Sequence, residues 1–219
     1  MPKDKGGYFI TFEGGEGTGK SSQINILCES LKNLNKDVVF TREPGGTTGA
    51  EAIRHVLLTG SAEPLGADTE AILFAAARAD HVNEVIRPAL EQGAIVLCDR
   101  YIDSTRVYQG CTGNVDLSFL KELEVIVCEG AFPDLTLILD LDPEEGMKRA
   151  AKRRKSEDQA DRFEKENLQI QKKRRKAFQD IAREEPERCE LIDASGSEKE
   201  VAKRIWTVVL PRLEKAGII

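Results

Sequence analysis

The sequence predicts an α/β fold in which a five-stranded parallel sheet is flanked by helices. Five short runs of β-branched, aromatic and aliphatic residues recur along the chain. Stretches with helical apolar spacing separate them, and this alternation gives a parallel sheet covered on both faces. At 219 residues the chain suits one well-packed domain and is short for two independent cores. No internal repeat or low-complexity segment interrupts the alternation.

The first run, Tyr8-Phe9-Ile10-Thr11-Phe12, reads as a buried strand. It leads into Gly14-Gly15-Glu16-Gly17-Thr18-Gly19-Lys20-Ser21, a complete G-x-x-x-x-G-K-[ST] loop. Ile24, Leu27, Cys28, Leu31 and Leu34 then recur on one helical face. A glycine-rich loop between a strand and a helix N-terminus turns successive backbone N–H groups toward one anion, and the helix dipole favours negative charge there. The loop from Gly14 to Ser21 is therefore expected to bind a nucleoside triphosphate, with Lys20 reaching the β and γ phosphates and Ser21 ligating Mg²⁺. Glu16 is out of place, since like-charge repulsion opposes a carboxylate in a cradle for polyanions. It is either a solvated loop carboxylate or the acceptor of a hydrogen bond from a sugar hydroxyl of a second substrate.

Val38-Val39-Phe40-Thr41 is the second strand, read as short and buried. The loop Arg42-Glu43-Pro44-Gly45-Gly46-Thr47-Thr48-Gly49 leaves its carboxyl end, where open α/β sheets bind ligands. Arg42 is placed there to hold a second anion or to pair with a surface acid. Ala50 to Leu58 forms a short helix. A longer helical run from Asp68 or Thr69 puts Ile72, Leu73, Ala76, Val82, Val85 and Ile86 on one broad apolar face, with Pro88 interrupting its end. Phe74 and Arg78 are neighbours one turn apart, able to stack on a nucleobase and bond its edge. Spacing alone favours a plainer arrangement, with Phe74 in the core and Arg78 in solvent. Ile95-Val96-Leu97-Cys98-Asp99 is a continuous apolar strand ending in an acid, the pattern of an aspartate at a Mg²⁺ site, and Arg100 follows directly. Tyr101 to Gly110 is polar and aromatic at once, which suits the wall of a nucleoside pocket. Leu117 to Val127 reads as a helix with Leu117, Leu120, Leu123 and Val127 inward. Leu135 to Leu141 is the fourth strand, and Pro143-Glu144-Glu145 opens a helix with the proline and acids that helix starts favour. Cys189 to Asp193 is the fifth strand, and a closing helix from Ser197 carries Val201, Ile205, Val208 and Val209 on its apolar side.

The formal net charge is −6, yet Lys and Arg crowd between Lys148 and Lys176. Within that window Lys172-Lys173-Arg174-Arg175-Lys176 lies in a helical stretch without interleaved aromatics, in an acidic chain. It reads as a solvated helix face and not as a nucleic-acid site. Cys28, Cys98, Cys111, Cys128 and Cys189 lack C-x-x-C spacing and point to reduced, mostly buried thiols, not to disulfides or zinc. His55 and His81 are isolated and read as surface or helix-packing residues. No signal-peptide core and no apolar run near the roughly 20 residues of a membrane span is present, so a cytoplasmic protein with no membrane partner is expected.

Phosphate loops serve switches, motors and kinases. A guanine-nucleotide switch needs N-K-x-D, whereas Asn35-Lys36-Asp37-Val38 lacks the final acid and precedes the second strand. A kinase for a phosphorylated acceptor must gather cations around two anions that repel each other. Arg42, Arg78, Arg100, Arg149, Arg153 and Arg162 are available for this. Phe12-Glu13-Gly14 through Ser21, Thr41-Arg42-Glu43-Pro44-Gly45-Gly46-Thr47, Phe74-Ala75-Ala76-Ala77-Arg78, Asp99-Arg100-Tyr101 through Tyr108-Gln109-Gly110 and Asp161-Arg162-Phe163-Glu164 together resemble the thymidylate kinases.

The resemblance covers nearly the whole chain. It implies the P-loop nucleoside monophosphate kinase fold, transfer of the γ-phosphoryl of ATP to dTMP giving dTDP and ADP, Mg²⁺ as cofactor, and a homodimer. It also implies that Glu16 binds the acceptor's 3′-hydroxyl, that Arg42 and Arg100 bind its phosphate, and that Asp99 joins the Mg²⁺ site. Phe74 would stack on thymine while Arg78 reads its edge. Ser104, Tyr108 and Gln109 would complete the pocket, Tyr108 crowding out a ribose 2′-hydroxyl. Lys20, Arg100 and Arg153 are the expected catalytic residues. The phosphate loop holds no arginine and the stretch 149–162 is rich in it, which resembles the bacterial form with its catalytic arginine on a mobile lid. Lys155-Ser156-Glu157-Asp158-Gln159-Ala160 departs from the family in length and polarity, leaving Arg153 against Arg154 open, and Ala77 stands where the family often has an acid. The alternative readings are a kinase for another nucleoside monophosphate and a nonenzymatic nucleotide switch.

Overall fold

The computed structural model describes residues 6–154 and 167–219. Its sheet contains β1 (Tyr8–Glu13), β2 (Val38–Arg42), β3 (Ile95–Asp99), β4 (Leu135–Asp140) and β5 (Cys189–Asp193), in the order β2-β3-β1-β4-β5. Every pairing is parallel. β1 is central and buried along its whole length. It pairs with β3 from Tyr8 opposite Ile95 to Phe12 opposite Asp99, and with β4 from Ile10 opposite Leu135 to Glu13 opposite Ile138. Strand order reverses at β1, so the connections leave to opposite sides and a crevice opens at the carboxyl ends of the strands. The 14–21 loop, Arg42 and Asp99 all emerge there.

Alternation along β1 divides the interior. Tyr8, Ile10 and Phe12 face α1 (Lys20–Asn33) and α9 (Glu198–Lys215), packing with Ile24, Leu27, Leu31, Ile205 and Val209. Phe9 faces the other way, into a cluster with Val96, Val82, Ile86, Tyr101 and Ile102. α9 starts at a capping box in which the Ser197 hydroxyl and the Glu200 carboxylate satisfy each other's backbone N–H groups.

Several elements differ from their sequence reading. β2 is an edge strand, bonded only to β3, and Phe40 is 46 % exposed. The long helical run is three pieces: α3 (Ala67–His81), a π-helical turn over Val82–Ile86, and α4 (Arg87–Glu91). Pro88 sits in the first turn of α4, where its missing N–H costs nothing, so it starts a helix and does not end one. α3 buries Ala71, Ala75, Ala77, Arg78 and His81, leaving Ile72 and Ala76 exposed. Its small residues let it lie close to α2 (Thr48–Leu58) and to α6 (Leu117–Cys128). On α6, Leu120 is buried but Leu117 is exposed, and Leu34 is exposed beyond the end of α1. Two further pieces follow β3: a short α5 (Ile102–Thr105) and a second π-helical turn over Arg106–Thr112. The basic run lies in α8 (Leu168–Glu184), and it is not wholly solvated, because Arg174 is 1 % exposed.

α7 (Pro143–Arg154) rests its first turn on the phosphate loop. Gly17, at φ 70°, and Gly146 lie back to back: a Cβ on Gly17 would collide with the Gly146 carbonyl, and one on Gly146 with the Glu16 carbonyl.

Candidate active site

The loop between β1 and α1 is closed by its own lysine. Lys20 is buried, and its Nζ donates to the carbonyl oxygens of Gly14 at 3.0 Å and Gly15 at 2.9 Å. Burial first, and then the Arg100 guanidinium, depress the ammonium to a pKa of about 8, against the pull of Glu16, Asp99 and Glu13. Ser21 Oγ donates to Asp99 Oδ2 at 2.9 Å, so the start of α1 and the end of β3 meet. Asp99 Oδ1 is buried without a hydrogen-bond partner. Beside the loop lies a cavity of about 490 Å³, bordered by Gly19, Gln23, Arg149, Ala194 and Gly196, which the sequence reading did not anticipate. Arg149 is held there by Glu145 at 2.5 Å and by the Ala194 carbonyl at 3.2 Å.

A second cavity, of about 320 Å³, is bordered by every residue expected at the acceptor site and also by Lys20, Ser21 and Asp99. Arg100 organises it. The residue adopts φ 67°, with its N–H donating to the Phe12 carbonyl at 2.9 Å. Its guanidinium reaches back over the loop to the Gly14 carbonyl and Ser104 Oγ, each at 3.2 Å, and to Glu16 Oε1 at 2.5 Å. The Tyr108 hydroxyl donates to the same Glu16 oxygen at 3.1 Å. Burial raises the Glu16 pKa, but Arg100, Lys20 and the Tyr108 hydroxyl outweigh it and hold the carboxyl near 2, ionised at any working pH. Glu16 is thus the counter-ion of Arg100 and not a solvated loop carboxylate.

Glu13, at the end of β1, carries more than the sequence showed. It is fully buried and accepts from the Tyr101 N–H at 2.7 Å, the Ser104 N–H at 3.2 Å and Ser104 Oγ at 2.6 Å. Burial and the nearby Asp103 push its pKa up to about 7, against the hydrogen bond from Ser104. Ser104 Oγ, donating to Glu13 and accepting from Arg100, links the strand end to the guanidinium. An acid closing an otherwise uncharged, largely apolar strand was the available signal.

Arg78 is not solvated: it is 3 % exposed, with Nε donating to Glu43 at 2.8 Å and Nη2 to Thr105 Oγ1 at 3.1 Å. The other Glu43 oxygen meets His81 Nδ1 at 3.0 Å, and His81 Nε2 lies 2.6 Å from Thr41 Oγ1. His81 is thereby a fully buried link in a chain that holds Arg78, whereas His55 is exposed. Phe74 is half-buried against Val107 and Ile138. Arg42 remains 53 % exposed and pairs with Glu51 at 2.8 Å. Gln109 is buried and Ser104 half-buried. Cys28, Cys98, Cys128 and Cys189 are buried free thiols and Cys111 is exposed.

A phosphate loop, a strand-end aspartate touching its serine, and a second cation-lined cavity in contact with both are what a nucleotide phosphotransferase requires. A family model for thymidylate kinase matches residues 12–205. The chain belongs to the thymidylate kinase family. It is 54 % identical over 202 residues to the thymidylate kinase of Bartonella quintana (strain Toulouse), covering 92 % of this chain and 94 % of that protein. It is 50 % identical over 210 residues to that of Afipia carboxidovorans, covering 96 % and 92 %. The crystal structure of thymidylate kinase from Ehrlichia chaffeensis superimposes with a TM-score of 0.73 at 34 % identity, covering 93 % of this chain and 98 % of that one. The fold is thus that of the P-loop nucleoside monophosphate kinases. The α7 backbone runs through Arg154, but the side chains of Arg153 and Arg154 and the part of the expected lid from residue 155 on, Arg162 included, lie outside the described residues. Among the described residues no helix is long and apolar enough to cross a membrane.

Proposed function

We infer that this chain transfers the γ-phosphoryl of ATP to dTMP, giving dTDP and ADP. The observation that carries this reading is the shared cavity, which brings Lys20, Ser21 and Asp99 to the same space as Phe74, Arg78 and Tyr108. The triphosphate would take the loop N–H groups and Lys20, whose Nζ leaves the Gly14 and Gly15 carbonyls for the β and γ oxygens. The cavity beside Arg149 and Gly196 suits the adenosine end of the donor. Ser21 and Asp99 fit Mg²⁺: a hydroxyl and one carboxylate with a buried, unpartnered oxygen are what an ion held chiefly by phosphate oxygens needs. Bound there, Mg²⁺ would neutralise charge on the β and γ phosphates.

On the acceptor side, Arg100 and Arg42 would bind the dTMP phosphate and offset the repulsion between the two substrates. Glu16 receives Arg100 and Tyr108 on Oε1, which leaves Oε2 to accept from the 3′-hydroxyl. Phe74 would stack on thymine and Arg78 would bond its edge, its guanidinium plane fixed by Glu43 and Thr105. Arg153, at the far end of α7, would reach the transferring group from a lid spanning about 149–162 of a single domain. Ile72 of α3 and Val125 and Ile126 of the adjacent α6 are exposed apolar side chains that suit a homodimer face. The direct test is ADP release from ATP and Mg²⁺ with dTMP, dUMP, dCMP, dGMP, UMP and AMP offered separately. Dependence on dTMP is expected. Preference for another monophosphate would keep the kinase and overturn the pocket, and acceptor-independent release would overturn both.

A further inference from the structure

Arg174 stands outside the groups that bind the two phosphates, yet it is 1 % exposed in the middle of α8. Enclosing a guanidinium is costly, and a leucine or methionine would fill the same space without that cost, so packing does not explain the residue. Its guanidinium carbon lies 4.1 Å from the centroid of the Tyr108 ring, nearer than that of Arg100 at 5.2 Å. Cation–π attraction of this kind strengthens where water is excluded. Tyr108 itself sits in the π-helical turn Arg106–Thr112, a backbone geometry that is rare and found mostly at functional sites. Its hydroxyl is tethered to Glu16, so the ring is held at its tip by a carboxylate and over its π system by two guanidinium groups. The helix that delivers Arg174 is itself anchored: Arg175 makes two hydrogen bonds to Asp140 at 2.7 and 2.8 Å, and Phe178 is buried beside Val107.

We propose that Arg174 is a positioning residue for acceptor specificity, holding the Tyr108 ring where it bars a 2′-hydroxyl, so that deoxyribonucleotide acceptors are taken over ribonucleotides. The proposal rests on the reading of Tyr108 as the residue beside the sugar's 2′ position. The test compares kcat/KM for dTMP and ribothymidine 5′-monophosphate in the wild type and in Arg174→Met, Arg174→Lys and Tyr108→Ala. Arg174→Met keeps an unbranched, apolar stem of similar volume but loses the cation. It is expected to lower the dTMP preference roughly three- to tenfold through the KM values of the two acceptors. KM for ATP and kcat with dTMP should hold, and Arg174→Lys should restore most of the preference. Should Arg174→Met fail to fold, Arg174→Gln reads the same ratio. A wild-type ratio in the Arg174 variants, with the ratio lost in Tyr108→Ala, overturns the role of Arg174 and leaves that of Tyr108 standing. An unchanged ratio in Tyr108→Ala removes both. A loss of activity toward both acceptors alike, with the ratio intact, reduces Arg174 to packing and also overturns the proposal.

Discussion

Glu16 is kept charged by Arg100, Lys20 and Tyr108, so an amide in its place removes an acceptor without changing its size. Glu16→Gln is expected to raise KM for dTMP roughly tenfold, the scale of one charge-assisted hydrogen bond, and to leave KM for ATP within about twofold. Steady-state kinetics with each substrate varied will show this, and an equal loss on both sides would move Glu16 to the donor site. Lys20 predicts a pH effect. Free, it loses its proton near pH 8, whereas a bound polyanion restores the higher pKa, so the complex holds more proton than its parts. ATP affinity is therefore full below pH 8 and falls as pH rises above it, by up to about tenfold per unit. Calorimetric titration between pH 7 and 9 checks the slope, and Lys20→Arg should flatten it. The loop with Lys20 and Ser21 was readable from sequence because phosphate chemistry dictates residues close together in order, and Asp99 because it ends an apolar run. Glu13, Glu43, His81 and Arg174 were not, because their partners are remote: His81 meets Glu43 across 38 positions and Ser104 meets Glu13 across 91. A buried polar side chain is defined by what folding brings to it, and spacing carries no trace of that.

All five strands were legible, since apolar runs of this length bounded by turn residues have few other uses. What eluded reading was their order, and with it the exposure of β2, because a strand becomes an edge through topology and not through its own residues. The face of α3 was misread for a physical reason. The π-helical turn at Val82–Ile86 takes up an extra residue per turn, so one period drawn through Ile72 and Ile86 joins two different faces. α7 raises the question of which arginine acts on the transferring phosphoryl. Arg149 is already engaged by Glu145 and the Ala194 carbonyl and would have to leave both. Arg153→Ala is accordingly expected to reduce kcat by roughly 10³ or more while changing ATP binding little, the signature of a group that meets charge only in the transition state. Single-turnover rates with saturating substrates decide it. A near-normal rate in Arg153→Ala, with the loss appearing in Arg149→Ala or Arg162→Ala, would transfer the role.

At the scale of the whole molecule, Val125 and Ile126 are each 66 % exposed on α6, and Ile72 is 48 % exposed on α3, the helix it packs against. A second copy docked on these side chains would bury them. Ile126→Glu is expected to convert a dimer into a monomer in light scattering at micromolar concentration, with dTMP kinase activity reduced only as far as the pocket loosens. A monomeric wild type, or a variant that stays dimeric, would remove this face from consideration. The meeting of the phosphate loop with α7 bears on the history of the chain and not on its chemistry. Gly17 and Gly146 are separated by most of the catalytic framework, yet the space each side chain would need is occupied by the backbone of the other's segment. Neither position has a viable first step: changing one to even an alanine drives the phosphate loop off α7, and no replacement at the second relieves it, since glycine is already the smallest residue. The two codons behave as one locked character, so a saturation library selected for growth should return glycine alone at both, without the compensating pairs that ordinary contacts allow.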